Sequence, residues 1–266
     1  MMAAVTERVT IAFADGVADV RLNRADKMNA LDQAMLDGIA AAGAELRAMH
    51  GLRAVVLSGE GKAFCAGLDI ASFAASLTSG GLDITTRTHG RSNLFQHVAM
   101  LWRELPVPVI AAVHGVCFGG GLQIALGADI RVAAPETRFA VMEMKWGLVP
   151  DMGGFVLTRG LVRPDRLREL TYTARQVDAA EALDLGLVTH IAEDPYGFAM
   201  ALAQEIAGRN PDAIRHAKAL FDVMEDQDAA AILLAESVAQ ADIMARPNQK
   251  EAVMAGLAKR PPTFTD

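Results

Sequence analysis

The chain has 266 residues, 52% of them hydrophobic, with a formal net charge of −7 and two cysteines. That length and apolar content suffice for one sizeable core with an appendage, the acidic balance disfavours a general nucleic-acid surface, and no apolar run reaches the roughly 18 residues that span a bilayer. The two cysteines, and residues 1–10 that lack a charged-then-apolar leader pattern, predict a reducing, cytoplasmic setting without export.

In chain order, residues 9–13 and 17–22 alternate around Asp15-Gly16, which predicts a hairpin. Residues 31–49 carry apolar side chains at helical spacing, and 54–57 form a short apolar run of strand type. Residues 72–90 are polar and contain glycine, which predicts a loop with short helical pieces where substrate preference would reside. Residues 109–113 read as a strand buried on both faces. A turn and Gly119-Gly120-Gly121 follow, opening a helix at Leu122. Strands recurring after helices predict an α/β fold. Beyond 195 the character changes: 198–208, 211–224, 229–244 and 248–257 all read as helices without intervening strands. This predicts a catalytic core at 1–194 and a helical, oligomerising region at 195–266. The sequence has no internal repeat and no low-complexity tract.

The glycine triplet has two readings. Three glycines allow close packing of strand, turn and helix. They also let backbone N–H groups at a helix start approach an atom on which negative charge develops, as in an oxyanion hole. Phosphate-cradling alternatives fail on spacing, because Ile124 occupies the place of the last glycine of G-x-G-x-x-G and no lysine follows as a P-loop requires.

Four blocks in order decide the matter: Leu22-Asn23-Arg24 with Asn29-Ala30-Leu31; Ala63-Phe64-Cys65-Ala66-Gly67-Leu68-Asp69-Ile70; 111–121 with Ala128-Asp129-Ile130; and Gly147-Leu148-Val149-Pro150-Asp151-Met152-Gly153-Gly154. On these residues the chain resembles the crotonase superfamily, also called the enoyl-CoA hydratase/isomerase family. The resemblance implies ββα units wound as a spiral, and trimers that often pair into hexamers. It also implies an acyl-CoA thioester substrate with coenzyme A as its only cofactor-like part. The thioester oxygen would accept from the N–H groups of Leu68 and Gly120, with Ala66, Asp69 and Ile70 beside them. Preorganised donors stabilise the enolate more than the ground state.

Family hydratases hold their water between two glutamates. The first of those positions is Gln123 here, which can hold a water but cannot transfer a proton at ordinary pH, and the second is Glu143. Asp151 stands where members resembling the dienoyl-CoA isomerases carry an aspartate that works with the glutamate. The expected chemistry is therefore double-bond isomerisation of an enoyl- or dienoyl-CoA by Glu143 and Asp151, two nearby carboxylates whose pKa values a partly apolar pocket would push apart. Three alternatives stand beside it: hydration with Gln123 positioning water, another reaction on the same scaffold such as hydrolysis, dehalogenation or decarboxylation, and a non-catalytic acyl-CoA-binding paralogue. Locally, Asp151 also reads as the N-cap of a helix running towards Arg159.

Other reactive side chains have plainer readings. Cys65 and Cys117, with His114 nearby, could form a thiol nucleophile, but buried structural cysteine and a hydrogen-bonded structural histidine fit better. His50, His97, His190 and His216 lack ligand spacing, and no metal is expected. Trp146 either walls the acyl group or fills core, and His89 either lines the acyl pocket or faces solvent. Arg24 and Lys27 are candidates for the phosphates of coenzyme A, and Lys259 for those of a neighbouring subunit.

Overall fold

The computed structural model describes residues 3–4, 6–72, 83–226, 229–244 and 246–265. Most of the expected 72–90 loop therefore lies outside the described residues.

The hairpin pairs β2 (Val9–Ala14) with β3 (Val17–Leu22), antiparallel, around Asp15 and Gly16, both at positive φ. A short β1 (Ala3–Ala4) adds to its edge. The chain then forms α1 (Gln33–Ala48), capped by the Asp32 carboxylate accepting from Met35 N–H, and returns as β4 (Ala54–Gly59) parallel to β3. Next comes α2 (Leu94–Glu104), which starts at an Asn93/Gln96 capping box. β5 (Val109–Val113) then lies parallel to β4. β7 (Ile130–Ala133) and β10 (His190–Ile191) complete a seven-stranded sheet in the order β1-β2-β3-β4-β5-β7-β10. A smaller sheet holds β6 (Val116–Phe118), β8 (Arg138–Ala140) and β9 (Val177–Asp178).

Strand side chains alternate between faces, so the central strands β3, β4, β5 and β7 of the large sheet serve two cores. Val55, Leu57, Ala111 and Val113 join the main core with Leu36, Ile39 and Leu101 of the helices. Val56, Ile110, Ala112 and Val132 face a second layer formed by α7 (Pro195–Ala207), whose Ala199, Ala203 and Ala207 repeat every four residues and let the helix approach closely. The first helix of the C-terminal region thus covers the sheet. α8 (Pro211–Asp226), α9 (Ala229–Ile243) and α10 (Pro247–Ala258) follow.

Between β6 and β10 in the chain come α3 (Gly120–Leu126) and a 3-10 turn at Glu143–Trp146, followed by α4 (Gly154–Leu157), α5 (Pro164–Thr173) and α6 (Ala179–Asp184). The N-cap expectation for Asp151 is corrected here. α4 begins after Gly153, at φ 92°, with no side-chain cap, so the aspartate is left free of the helix start. No helix among the described residues is long and apolar enough to cross a membrane.

Candidate active site

Two turns meet beside β6. In the first, Leu31 N–H donates to Gly67 C=O (2.8 Å) and Asp69 N–H donates to Leu31 C=O (3.0 Å). Backbone groups on successive residues of an extended segment point to opposite sides, so the N–H of Leu68, between them, turns away from Leu31. In the second turn, Gly120 is the first residue of α3, where N–H groups have no helical partner. Among the described residues neither amide donates to a backbone carbonyl. The turns are in close contact: a Cβ on Gly67 would lie 2.7 Å from Phe118 C=O and 3.6 Å from Gly120 N. Gly67 has φ +88° and Gly119 has φ 52°, conformations that L side chains rarely adopt.

Both turns line a cavity of about 260 Å³. Of the residues singled out in the sequence, Ala66, Leu68, Ile70, Gly120, Glu143, Trp146 and Asp151 line it. Ile84, Phe95, Met142, Leu148, Val149 and Met152 complete the wall and were not anticipated. Apolar side chains around a cavity carry the same sequence pattern as those in a core, so no signal set these apart. Trp146 is 52% exposed, so it is a cavity wall rather than core filling.

The polar side chains in this lining are Glu143 and Asp151. Glu143 is half-buried, and burial pushes its pKa above the ordinary glutamate value; the Asp151 carboxylate adds to the rise, while hydrogen bonds, including one from Gln123, oppose it. Asp151 opens onto the cavity, yet the protein packed around it raises its pKa as well, again by desolvation. Two carboxyls that hold protons more tightly than in water, lining one cavity with the Leu68 and Gly120 turns, can add a proton to a bound carbon framework and remove one from it.

The remaining candidates lie elsewhere. Gln123, expected to touch substrate, is 4% exposed and sits behind Glu143, outside the lining of the cavity. Asp69 turns away from it: the carboxylate accepts from Arg24 Nη1 (2.8 Å) and Ser72 N–H (3.2 Å), and the arginine holds its pKa below the usual value. Arg24 is thereby committed to Asp69, Asp32 and Ala30 C=O rather than free for a phosphate. Lys27 is an exposed residue of a short 3-10 turn and is not part of the cavity wall. Lys259 ends α10 at φ 51°.

The structural readings of the other groups hold. Cys65 and Cys117 are fully buried; desolvation pushes the Cys65 thiol up to about 12 and Cys117 higher than its ordinary value, so neither is a nucleophile. His114 Nε2 bonds Gly61 C=O at 2.9 Å. His89 is half-buried, stacks on His97 with ring centroids 4.5 Å apart, and is absent from the cavity lining.

A family model for enoyl-CoA hydratase/isomerase matches residues 12–266. The mitochondrial Delta(3,5)-Delta(2,4)-dienoyl-CoA isomerase of Mus musculus is 33% identical over 210 residues, 76% of this chain and 64% of that protein, so the match spans just under two thirds of the relative. The mitochondrial methylglutaconyl-CoA hydratase of the same animal is 30% identical over 256 residues, 94% of this chain and 79% of the relative. Among solved structures, an enoyl-CoA hydratase from Bacillus anthracis superposes with a TM-score of 0.88 at 29% identity, covering 97% of this chain and 98% of the other.

Proposed function

The chain belongs to the enoyl-CoA hydratase/isomerase family of enzymes, and from that premise we propose that it moves a double bond in an enoyl- or dienoyl-CoA without adding water. In this reading the thioester oxygen accepts from the Leu68 and Gly120 amides, which take up the charge of the enolate as it forms. One of Glu143 and Asp151 removes a proton from the acyl chain, and a proton is returned at another carbon, so the bond migrates with no net change in composition. The coenzyme A part of the substrate is the only cofactor-like group the scheme needs.

The observation that carries this reading is a pair of carboxyls lining the same cavity, combined with a glutamine that lies outside its lining. Hydration by a second acid at position 123 finds no support, because Gln123 cannot exchange a proton at ordinary pH. Hydration with Gln123 as the water holder has little more, since its amide oxygen is already engaged by the backbone N–H groups of Met152 and Gly154.

The cavity also favours one class of acyl group. Among the described residues no basic side chain lines it, and residues 73–82, outside the described part, contain no charged residue at all. A second carboxylate on the acyl group, such as the name methylglutaconyl implies for one relative, would lose its hydration and meet two acids with no cation to pair it. The proposed substrate therefore carries an uncharged, apolar acyl chain.

Residues 1–194 serve in this proposal as the catalytic unit and 195–266 as the region that assembles copies into a trimer or a pair of trimers. Exposed Leu233, Leu234 and Val238 on α9, and Met254 and Leu257 on α10, support it as apolar surface in want of cover. The deciding experiment incubates the purified protein with a panel of enoyl- and dienoyl-CoA thioesters and weighs the products. Rearranged product of unchanged mass supports isomerisation, a gain of one water establishes hydration, and tight binding with no change across the panel favours a binding protein.

A further inference from the structure

Gln123 has an amide whose orientation is fixed from both sides. Its Oε1 accepts from Met152 N–H (2.9 Å) and Gly154 N–H (2.8 Å), and a Cβ on Gly154 would come within 2.8 Å of that same oxygen. Two backbone donors can only face an acceptor, so the amide NH₂ is forced to the opposite side. There Nε2 donates to Glu143 Oε1 at 2.6 Å. Oε1 is thus an acceptor in every protonation state of Glu143, which leaves Oε2 as the one oxygen able to carry the proton. Oε2 is buried and has no hydrogen-bond partner among the described residues.

We propose that Gln123 is a positioning residue that confines the exchangeable proton of Glu143 to Oε2 and fixes the carboxyl plane while the double bond moves. The proposal rests on the reading of Glu143 as the proton carrier. It also accounts for an amide where family hydratases carry an acid. A glutamate at 123 could keep one oxygen on Met152 and Gly154, but its other oxygen would face Glu143 Oε1 at hydrogen-bond distance. The two carboxyls would then share a proton and titrate as a coupled pair. Glutamine removes that competitor. Around Glu143, α3 contributes Gln123 and Leu122, and α5 contributes Leu167 and Thr171 to the small space behind it. Asp151, which lines the same cavity, is the titratable group that bears on it, while Lys145, on the same turn, is exposed with Nζ 5.7 Å from the centre of the Trp146 ring.

The test follows the Glu143 carboxyl carbon by NMR as pH is varied, assigned by its absence in Glu143→Gln, in ligand-free wild type, Gln123→Glu and Gln123→Met. The proposal expects a single step in wild type. In Gln123→Met, which removes a donor to the ionised form, the step moves to higher pH. In Gln123→Glu it splits into two steps, the upper lying above the wild-type midpoint. In turnover, kcat falls roughly 10-fold or more in Gln123→Met with KM little changed. A Glu143 titration that coincides with wild type in the folded variants overturns the proposal. Should Gln123→Met fail to fold, Gln123→Glu, which keeps an oxygen for both backbone donors, decides alone. The titration is read without substrate, so a wrong assignment of the reaction shows in the thioester panel and a wrong role for Gln123 shows here.

Discussion

Arg24 Nη1 donates to Asp69 Oδ2 at 2.8 Å, joining the chain that enters α1 to the residue that follows the Leu68 amide. The same guanidinium reaches Asp32, the N-cap of α1, and Ala30 C=O. An arginine that the sequence offered as a phosphate ligand is thus a strut behind the turn that carries the Leu68 amide.

Removing one end of that strut should cost stability in a pH-dependent way. The Asp69 pKa is lowered beneath 3.8 by its bond to Arg24. A lowered acid contributes stability that is fully present above its unfolded value and lost as pH falls through the folded value. Asp69→Asn is expected to lower the unfolding free energy at pH 7 by about 1–2 kcal/mol, since solvent still reaches the pair. That difference should shrink as the wild type is taken below pH 3.8. Urea titrations of both proteins across that range check it.

Gly67→Ala places a Cβ where Phe118 C=O lies 2.7 Å away, at φ +88°. The turn must shift, and the Leu68 N–H shifts with it. The expected result is a loss in kcat on the order of 10²–10³, the scale of losing one oxyanion donor, with a smaller change in KM. Steady-state kinetics beside a thermal melt separate this from loss of the fold.

The raised pKa of Glu143 fixes the direction of the acid limb. Its proton is retained above the ordinary value of 4.5, so a step that needs the ionised form should gain rate as pH rises through a midpoint above 4.5 rather than at it. Glu143→Gln should lose this limb together with most of the rate. A kcat/KM profile over pH, taken with the variant, is the check.

Acyl selectivity gives a separate test of the cavity. Competition between two enoyl-CoA thioesters of equal length, one ending in a methyl and one in a carboxylate, should favour the apolar chain by a factor on the order of 100. Equal kcat/KM values would mean that the acyl chain does not occupy this space.

Much of this was legible in the sequence, for reasons that can be named. The hairpin at Asp15-Gly16 was readable because a two-residue turn and a strand alternation are both local patterns. The glycine triplet pointed to a helix start at Gly120, and the Leu68 amide was named only through the family resemblance; both turns line the cavity. Asp151 misled on local grounds: an aspartate ahead of a helix is usually a cap, but Gly153 delays the start and leaves the carboxylate to the cavity. The engagement of Arg24 and the orientation of Gln123 were not legible. Each depends on partners far along the chain, 45 residues away for Arg24–Asp69 and 20 for Gln123–Glu143. The apolar wall of Ile84, Phe95 and Leu148 was hidden because cavity and core select the same side chains.

The central claim is that two acids move a proton along the acyl chain without adding water. The measurement that tests it most directly is proton NMR of a substrate dienoyl- or enoyl-CoA incubated in D₂O with wild type, Glu143→Gln and Asp151→Asn. The expected result is double-bond migration with deuterium entering at the α or γ carbon, no added hydroxyl, and loss of both in each variant by roughly 10²–10⁴-fold. A hydroxylated product that disappears in Glu143→Gln and persists in Asp151→Asn would contradict it and make the protein a hydratase.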